Sequence, residues 1–388
     1  MPERLLNPWL VEFGTTIFAE MSALATATGA INLGQGFPDT DGPAEVADAA
    51  VAAIRAGHNQ YPPGLGIADL RLAVAEHQER FYGLEFDPDT EVLITAGATE
   101  AIAGAMLSLL VPGDEVVLFE PYYDSHVAGI AMARAERRLV TLRPPHYRFD
   151  PDELAAAIGP RTRMMVVNSP HNPTGKVFDR QELEFIAELC RRHDLLVVTD
   201  EVYEHLAYDG THIPLATLPG MRERTITVSS AGKTFSFTGW KVGWVCAPAE
   251  LRAAVTAAKQ FLTYVNGAPF QHAVAVGLRL GDDYFDGLRA GLRARRDQLT
   301  DGLAAAGFEP YRPAGTYFVT ADVRPLGFDD GMALCRRLPE LCGVVAVPNV
   351  VFYDNEHEGR HLVRFAFCKR PEVLEEAVAR LSKLGDRR

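Results

Sequence analysis

Short apolar runs of about five residues recur through the middle of the chain and alternate with segments of helical periodicity. The runs are apolar at successive positions, which is typical of buried strands in a mostly parallel sheet. Six strands are predicted on this basis, over residues 91–95, 115–119, 164–168, 195–199, 225–229 and 242–246. Asp179 and Glu182 form a capping-box pattern that opens a helix over 179–192. This alternation predicts an α/β domain.

The pattern changes after Gly277. A long charged helix is predicted over 283–306, short strands near 316–321 and 362–367, and a last helix over 371–384, which together indicate a smaller α+β domain. The first forty or so residues hold an amphipathic segment and a glycine-rich stretch, which we expect to pack against that domain. We therefore predict an N-terminal segment over 1–43, a large domain over 44–277 and a small domain over 278–388.

Composition narrows the classes of partner. The 51 acidic and 38 basic residues give a net charge of -13, which disfavours nucleic acid and anionic membranes as partners. No apolar run reaches the roughly 18 residues of a membrane helix, and Met1–Leu10 lacks a signal-peptide pattern. The five cysteines are odd in number and form no C-x-x-C pair, so we expect a reducing cytoplasm, no disulfide framework and no metal ligands.

Lys233 is the first candidate for chemistry. It lies in the small-residue stretch 229–236, directly after a predicted strand. A lysine amine attacks carbonyl groups when burial or a nearby cation lowers its pKa, and Lys241 is such a cation. Taken alone, a lysine in such a loop is far more often an ordinary solvated residue, which is the alternative.

Two further loops follow predicted strands. Asp200 comes directly after the strand 195–199, where a side chain faces the ligand crevice of an α/β fold, and Tyr203 follows it. The alternative for Asp200 is an ordinary helix N-cap. Asn172 lies in 168–175, where two X-Pro bonds favour a cis peptide that aims its side chain, although a plain turn with His171 as filler is the alternative.

Two anion sites are predicted. Gly97, Ala98 and Thr99 lie between a strand and a helix, where backbone N–H groups hold phosphate, and Ser230 and Lys241 are positioned along the chain to complete that site. No Walker or G-x-G-x-x-G motif supports a nucleotide instead. Arg364 interrupts the apolar run 362–367, which indicates either a grip on a substrate carboxylate or a structural ion pair.

Taken together, these motifs resemble fold-type I enzymes that use pyridoxal phosphate (PLP), specifically class I aminotransferases, over essentially the whole chain. The chain is most similar to the kynurenine and methionine aminotransferase branch. The runs 15–25, 59–64 and 169–175 are closest to actinobacterial enzymes of N-succinyldiaminopimelate aminotransferase type. The resemblance implies a large domain with a mostly parallel seven-stranded sheet, a smaller α+β domain, PLP as the cofactor, and a homodimer with shared active sites.

The resemblance also implies roles for single residues. Lys233 would hold the cofactor as an imine and carry a proton, Asp200 would pair with the pyridine nitrogen, and Asn172 and Tyr203 would hold the phenolate oxygen. The remaining cofactor contacts would come from Gly97, Ala98, Thr99, Ser230 and Lys241 at the phosphate, Tyr61 of the neighbouring subunit, and Tyr123 stacked on the ring. Substrate contacts would come from Arg364, Asn172, the Gly36 backbone and Phe18, which stands where kynurenine enzymes place a tryptophan.

The expected reaction is a ping-pong transfer of an amino group from an L-amino acid to a 2-oxo acid. The donor would be glutamate or an amino acid of methionine, glutamine or aromatic type, and N-succinyl-2-amino-6-oxopimelate is a candidate acceptor. The candidate side-chain pocket is mostly apolar or aromatic: Ile17, Phe18, Tyr61, Tyr123, Tyr317 and Phe352. A long acidic substrate would need a further cation. The alternatives are a kynurenine/glutamine-type transaminase with cysteine-conjugate β-lyase activity and, disfavoured by the acidic charge, a PLP-binding regulator.

Overall fold

A mixed seven-stranded sheet forms the centre of the computed structural model, which describes residues 7–387. Its strands are β2 (Val92–Thr95), β3 (Glu115–Glu120), β4 (Glu136–Thr141), β5 (Thr162–Asn168), β6 (Leu196–Asp200), β7 (Thr225–Ser230) and β8 (Gly243–Cys246). The order is β2-β8-β7-β6-β5-β3-β4, with β8 antiparallel to both of its neighbours and the other pairs parallel. The six predicted strands lie within two residues of the observed bounds, and the α/β prediction is confirmed.

Helices cover both faces of this sheet. They are α2 (Ala44–Arg55), α3 (Ala68–Tyr82), α4 (Gly97–Leu109), α5 (Asp124–Met132), α6 (Pro151–Ala156), α7 (Arg180–Arg192), α8 (Ala231–Thr234), α9 (Ala249–Lys259) and α10 (Ala268–Leu278). Val116 packs with α4 and α5 on one face, and Val117 packs with α7 on the other, as the period of two in a strand requires. The predicted capping box of α7 is present: Glu182 N donates to Asp179 Oδ1 at 2.9 Å, and Asp179 N donates to Glu182 Oε2 at 3.0 Å.

The C-terminal part is built on a four-stranded antiparallel sheet in the order β12-β13-β10-β9. Its strands are β9 (Glu309–Tyr311), β10 (Phe318–Asp322), β12 (Val347–Pro348) and β13 (Leu362–Ala366), and its helices are α11 (Asp282–Ala305), α12 (Gly331–Cys342), α13 (Glu356–Gly359) and α14 (Pro371–Leu381). The strand β10 begins two residues later than predicted, because Thr316 has a left-handed φ of 62°. The last helix ends at Leu381 and continues as a 3₁₀ segment, Ser382–Arg387.

The N-terminal segment contributes α1 (Ile17–Thr28) and β1 (Ile31–Asn32). The strand β1 pairs in parallel with β11 (Val344–Val345), and Met21, Ala25 and Leu33 share a core with the C-terminal part. The boundaries at 43 and 277 stay a prediction. Within the described residues, no helix is long and apolar enough to cross a membrane.

None of the five cysteines, all of which lie in the described part of the chain, forms a disulfide, and all five are buried. They are distributed over the whole fold: Cys190 on α7, Cys246 on β8, Cys335 and Cys342 on α12, and Cys368 after β13.

Candidate functional site

A cavity of about 370 Å³ opens at the carboxyl ends of β5, β6 and β7, between the large sheet and the C-terminal part. Such a position is the usual ligand crevice of an α/β fold. All of the predicted site residues except Tyr61 line it: Phe18, Gly36, Gly97, Ala98, Thr99, Tyr123, Asn172, Asp200, Tyr203, Ser230, Lys233, Lys241 and Arg364. Side chains from distant parts of the sequence therefore meet in one place.

Lys233 is on α8, one turn after the end of β7. Its Nζ lies 5.8 Å from the centre of the Tyr203 ring and 5.7 Å from that of Tyr317. Desolvation lowers the pKa of Lys233, and the positive charges of Lys241 and Arg364 act in the same direction. The alternative of a solvated loop lysine is therefore wrong, and burial favours the neutral amine, which is the form that attacks carbonyl groups.

Asp200 is the last residue of β6 and is buried. Its Oδ2 lies 2.9 Å from His126 Nε2, and its Oδ1 accepts a hydrogen bond from Val202 N at 3.3 Å. The residues that follow form turns and no helix, so the N-cap alternative is wrong. A buried carboxylate with a fixed orientation is suited to pair with a protonated ring nitrogen.

Sequence reasoning missed His126. It is buried on the first turn of α5, three residues after Tyr123, and the two rings meet edge to face with centroids 5.6 Å apart. The spacing of three on a helix was the available signal, since such residues share a face. Burial raises the pKa of Tyr123 to about 12, which keeps its hydroxyl protonated.

The 168–175 loop contains two cis peptide bonds, Ser169–Pro170 and Asn172–Pro173, as the pattern favoured. Asn168 anchors it by accepting from Asn172 N at 2.8 Å and donating to Asp200 O at 2.9 Å. Asn172 Oδ1 accepts from Arg364 Nη1 at 2.8 Å. The loop is therefore more than a plain turn, because it joins the main-chain carbonyl of Asp200 at the end of β6 to the guanidinium of Arg364 on β13.

A tightly packed glycine cradle lies at the start of α4. Gly97 has a φ of +73°, and a Cβ built on it would lie 3.3 Å from Lys241 Nζ. A Cβ on Gly243 would lie only 2.6 Å from the carbonyl carbon of Gly97 and 2.8 Å from Ala98 N. The first backbone N–H groups of a helix have no hydrogen-bond partner within the helix. Lys241 places a positive charge beside these N–H groups of α4. Ser230 lines the same end of the cavity. This end of the cavity is therefore suited to a phosphate group.

Arg364 on β13 is 1% exposed, yet none of the ion pairs in the described part of the chain includes it. The structural ion-pair alternative is therefore wrong. Its Nη2 donates to Gly34 O at 3.2 Å, its Cζ lies 3.9 Å from the centre of the Phe318 ring, and among the described residues Nε has no hydrogen-bond partner. Desolvation lowers the pKa of Arg364 to about 10, which still leaves the group charged near neutral pH. A buried cation with unused N–H groups fits a substrate carboxylate.

The candidate side-chain pocket is found only in part in this cavity. Tyr61 is 83% exposed and contacts Tyr264, and its expected place at the cavity of the neighbouring subunit stays a prediction. Ile17, Tyr317 and Phe352 also lie outside the lining, since Tyr317 packs on Tyr203 and Phe352 lies behind Phe18. The lining includes other residues that the sequence did not single out, among them Gln35, Ile102, Val202 and Phe318. They are ordinary core or loop residues in sequence, so only the fold reveals them.

Residues 28–381 match the family model of aminotransferase class I and II. The chain belongs to this family. A probable N-succinyldiaminopimelate aminotransferase, DapC, of Mycobacterium tuberculosis is 54% identical, and the methionine aminotransferase of Escherichia coli is 39% identical, each over 97% of both chains. Among solved structures, the N-succinyldiaminopimelate aminotransferase of M. tuberculosis superposes with a TM-score of 0.95 at 55% identity, covering 97% of this chain and 99% of that one. An aspartate aminotransferase of Thermus thermophilus with maleate gives 0.90 at 32% identity, over 98% and 99%.

The protein is thus an aminotransferase of the PLP-dependent class, and its cavity fits that cofactor. The start of α4 together with Lys241 would hold the phosphate of PLP, and Asp200 would pair with its pyridine nitrogen. The desolvated amine of Lys233 would react with its aldehyde. Arg364 lines the same cavity, and among the described residues its buried Nε has no hydrogen-bond partner.

Proposed function

We propose that this aminotransferase exchanges the amino group of glutamate with N-succinyl-2-amino-6-oxopimelate, forming N-succinyldiaminopimelate. Support comes from similarity, because a relative and a solved structure of that name are 54–55% identical over 97% of the chain, against 39% for the methionine enzyme. The observation that carries the general reaction is Arg364, a buried cation that lines the cavity and whose Nε has no hydrogen-bond partner among the described residues. It provides the grip on the α-carboxylate that every L-amino acid donor requires.

We assign the chemistry to three groups of this chain. Arg364 binds and orients the α-carboxylate, Lys233 holds the cofactor covalently in the resting enzyme, and Asp200 holds a proton on the ring nitrogen. When bound, PLP supplies an electron sink that makes the α-proton of the amino acid acidic. The Lys233 amine, freed when the amino group of the substrate takes its place, would remove that proton, and the desolvation that lowers its pKa favours the neutral form that accepts protons. His126 fixes the Asp200 carboxylate and acts as a positioning residue.

The other predicted contacts complete the proposed site. Asn172 and Tyr203 hold the phenolate oxygen, Tyr123 stacks on the ring, and Gly36 and Phe18 border the substrate. The phosphate contacts are proposed for Gly97, Ala98, Thr99, Ser230 and Lys241.

The substrate is settled by a half-reaction screen. Each amino acid is mixed with the PLP form of the enzyme without an oxo acid, and the cofactor absorbance is followed. We expect N-succinyldiaminopimelate and glutamate to give the highest second-order rates. A higher rate for methionine would instead favour a second candidate function, a transaminase of methionine, glutamine or aromatic amino acids, which the apolar wall of Phe18, Ile102 and Phe318 supports. Pyruvate and ammonia formed from a cysteine conjugate without any acceptor would reveal β-lyase activity.

We also propose a homodimer in the cytoplasm, with Tyr61 reaching the phosphate of the neighbouring subunit. Support comes from Tyr61, which is 83% exposed and whose ring lies 5.6 Å from that of the 49% exposed Tyr264, since exposed aromatic patches mark interfaces. We also propose the domain boundaries at residues 43 and 277. Because the site would be shared, mixing two inactive variants, Lys233→Ala and Tyr61→Ala, should restore activity through mixed dimers that hold one intact site. A mixture that stays inactive after subunit exchange would contradict the shared site.

A further inference from the structure

A second polar cluster lies buried outside the cavity, between α3 and the turns that follow β6. His77 Nε2 lies 2.8 Å from His205 Nε2, and Glu204 precedes His205 in the chain. All three side chains are buried, and one potential ligand atom from each lies within 4.8 Å of the others. The aminotransferase reaction uses none of these residues.

The hydrogen bonding of this cluster is incomplete. Among the described residues, Glu204 Oε2 is buried without a hydrogen-bond partner. His77 Nε2 and His205 Nε2 face each other, and an imidazole nitrogen binds metal ions through its lone pair. Buried polar atoms in native proteins normally have partners, so the unused oxygen of Glu204 indicates a missing ligand.

The charge around the cluster also favours a cation. Glu204 makes no ion pair in the described part of the chain, and Glu201 pairs only with His212, at 2.8 Å. Glu204 is thus a buried carboxylate without a lysine or arginine partner among the described residues, and a divalent ion would neutralise it.

We propose that His77, Glu204 and His205 bind one divalent transition-metal ion, of which Zn²⁺ is the best match. Two imidazoles and a carboxylate are a donor set that zinc accepts. In a tetrahedral site with Zn–N bonds of about 2.05 Å, the two ring nitrogens would stand about 3.3 Å apart, so the rings need to separate by only about half an ångström. The site contains no cysteine, and His77 and His205 are 128 residues apart, so the sequence offered no spacing motif for it.

The metal would have a structural role. Glu204 also accepts a hydrogen bond from Ser229, the residue before Ser230 in β7. Along the chain, Glu204 lies four residues after Asp200. An ion held between Glu204, His205 and His77 would therefore brace the segment that carries Asp200 and the end of β7 against α3. The site is independent of which substrate the enzyme uses.

The test is metal retention by the purified holoenzyme. The protein is incubated with an equimolar amount of Zn²⁺, desalted on a chelating column, and assayed for zinc per chain by mass spectrometry. We expect about one ion per chain in the wild type and roughly a tenth of that in His77→Phe, because a structural site needs all three ligands. Phenylalanine suits this position, since the His77 ring already packs on Phe81 and Phe285.

The control variant disrupts a different pair of histidines, which lies at the surface. The rings of His58 and His272 lie 4.1 Å apart, and His272→Ala should leave the retained zinc unchanged. Loss of zinc in His272→Ala with retention in His77→Phe would place the ion on the surface and overturn the proposal. A wild type that retains no zinc would also overturn it.

A measurement on the wild type alone covers the case in which His77→Phe fails to fold. X-ray absorption of the zinc-loaded enzyme should show a first shell with two imidazoles and oxygen. A shell with sulfur, or with fewer than two imidazoles, would refute the assignment.

Discussion

Replacing Arg364 with lysine keeps the positive charge and removes the planar set of donors. In the structure, Nη1 donates to Asn172 at 2.8 Å and Nη2 to Gly34 O at 3.2 Å, while Nε is unused. Two of the five N–H groups are therefore committed to the protein, and three remain for a carboxylate. A lysine has three donors on one atom and cannot serve Asn172, Gly34 and both carboxylate oxygens together.

The cost follows from the bonds lost. One charge-assisted hydrogen bond contributes about 1.5–3 kcal/mol, and leaving one buried acceptor unpaired adds about 1–3 kcal/mol. A total of about 2.5–6 kcal/mol corresponds to a fall of roughly 10² to 10⁴ in kcat/KM. The loss should be confined to substrates that carry the α-carboxylate.

The assay compares an amino acid with the amine that lacks its carboxylate, in half-reactions of both proteins. The amine reacts slowly with the wild type, and its rate should change by less than about threefold in Arg364→Lys. Arg360→Lys is the matched control, because Arg360 is exposed and its Nη2 lies 3.5 Å from Asp330. Equal losses for the amino acid and the amine, or a loss below about fivefold for the amino acid, would show that Arg364 does not hold the carboxylate.

Three shorter predictions concern the cofactor. Lys233→Ala should abolish the absorbance of the covalently held cofactor and lower kcat by about 10³-fold or more, since it removes both the covalent link and the base; unchanged transamination would disprove the central assignment. His126→Phe should fill the same space but leave the Asp200 carboxylate unbraced, lowering kcat and cofactor affinity by roughly tenfold each, as measured by kinetics and by PLP titration. Gly243→Ala should cost about 1–3 kcal/mol of unfolding free energy, because its Cβ would meet the carbonyl carbon of Gly97 at 2.6 Å, whereas Gly239→Ala, with open space around it, should change the thermal midpoint little.

The sequence predicted best what depends on local pattern. The buried strand before Asp200 and the capping box of Asp179 are encoded within a few residues, and both are confirmed. The strand β4 was missed because it begins Glu136-Arg137-Arg138 at the edge of the sheet, where polar side chains reach solvent and the apolar signal disappears.

The remaining site features depend on contacts between distant residues. His126 meets Asp200 across 74 positions, and Arg364 meets Asn172 across 192. No spacing along the chain encodes such pairs, since they arise when strands from separate segments end at the same edge of the structure. For the same reason the sequence indicated only that Arg364 could bind an anion. That its Nε has no hydrogen-bond partner among the described residues is seen only in the structure.

Because all five thiols are buried, their reaction with a thiol reagent can be used to measure unfolding of this protein. A thiol reagent can reach Cys190, Cys246, Cys335, Cys342 or Cys368 only when the surrounding structure opens, so labelling rates measure opening free energies without any engineered probe. Since two of these residues lie in the large sheet and its helices and three in the C-terminal part, peptide mapping of the labelled sites would show which part opens first.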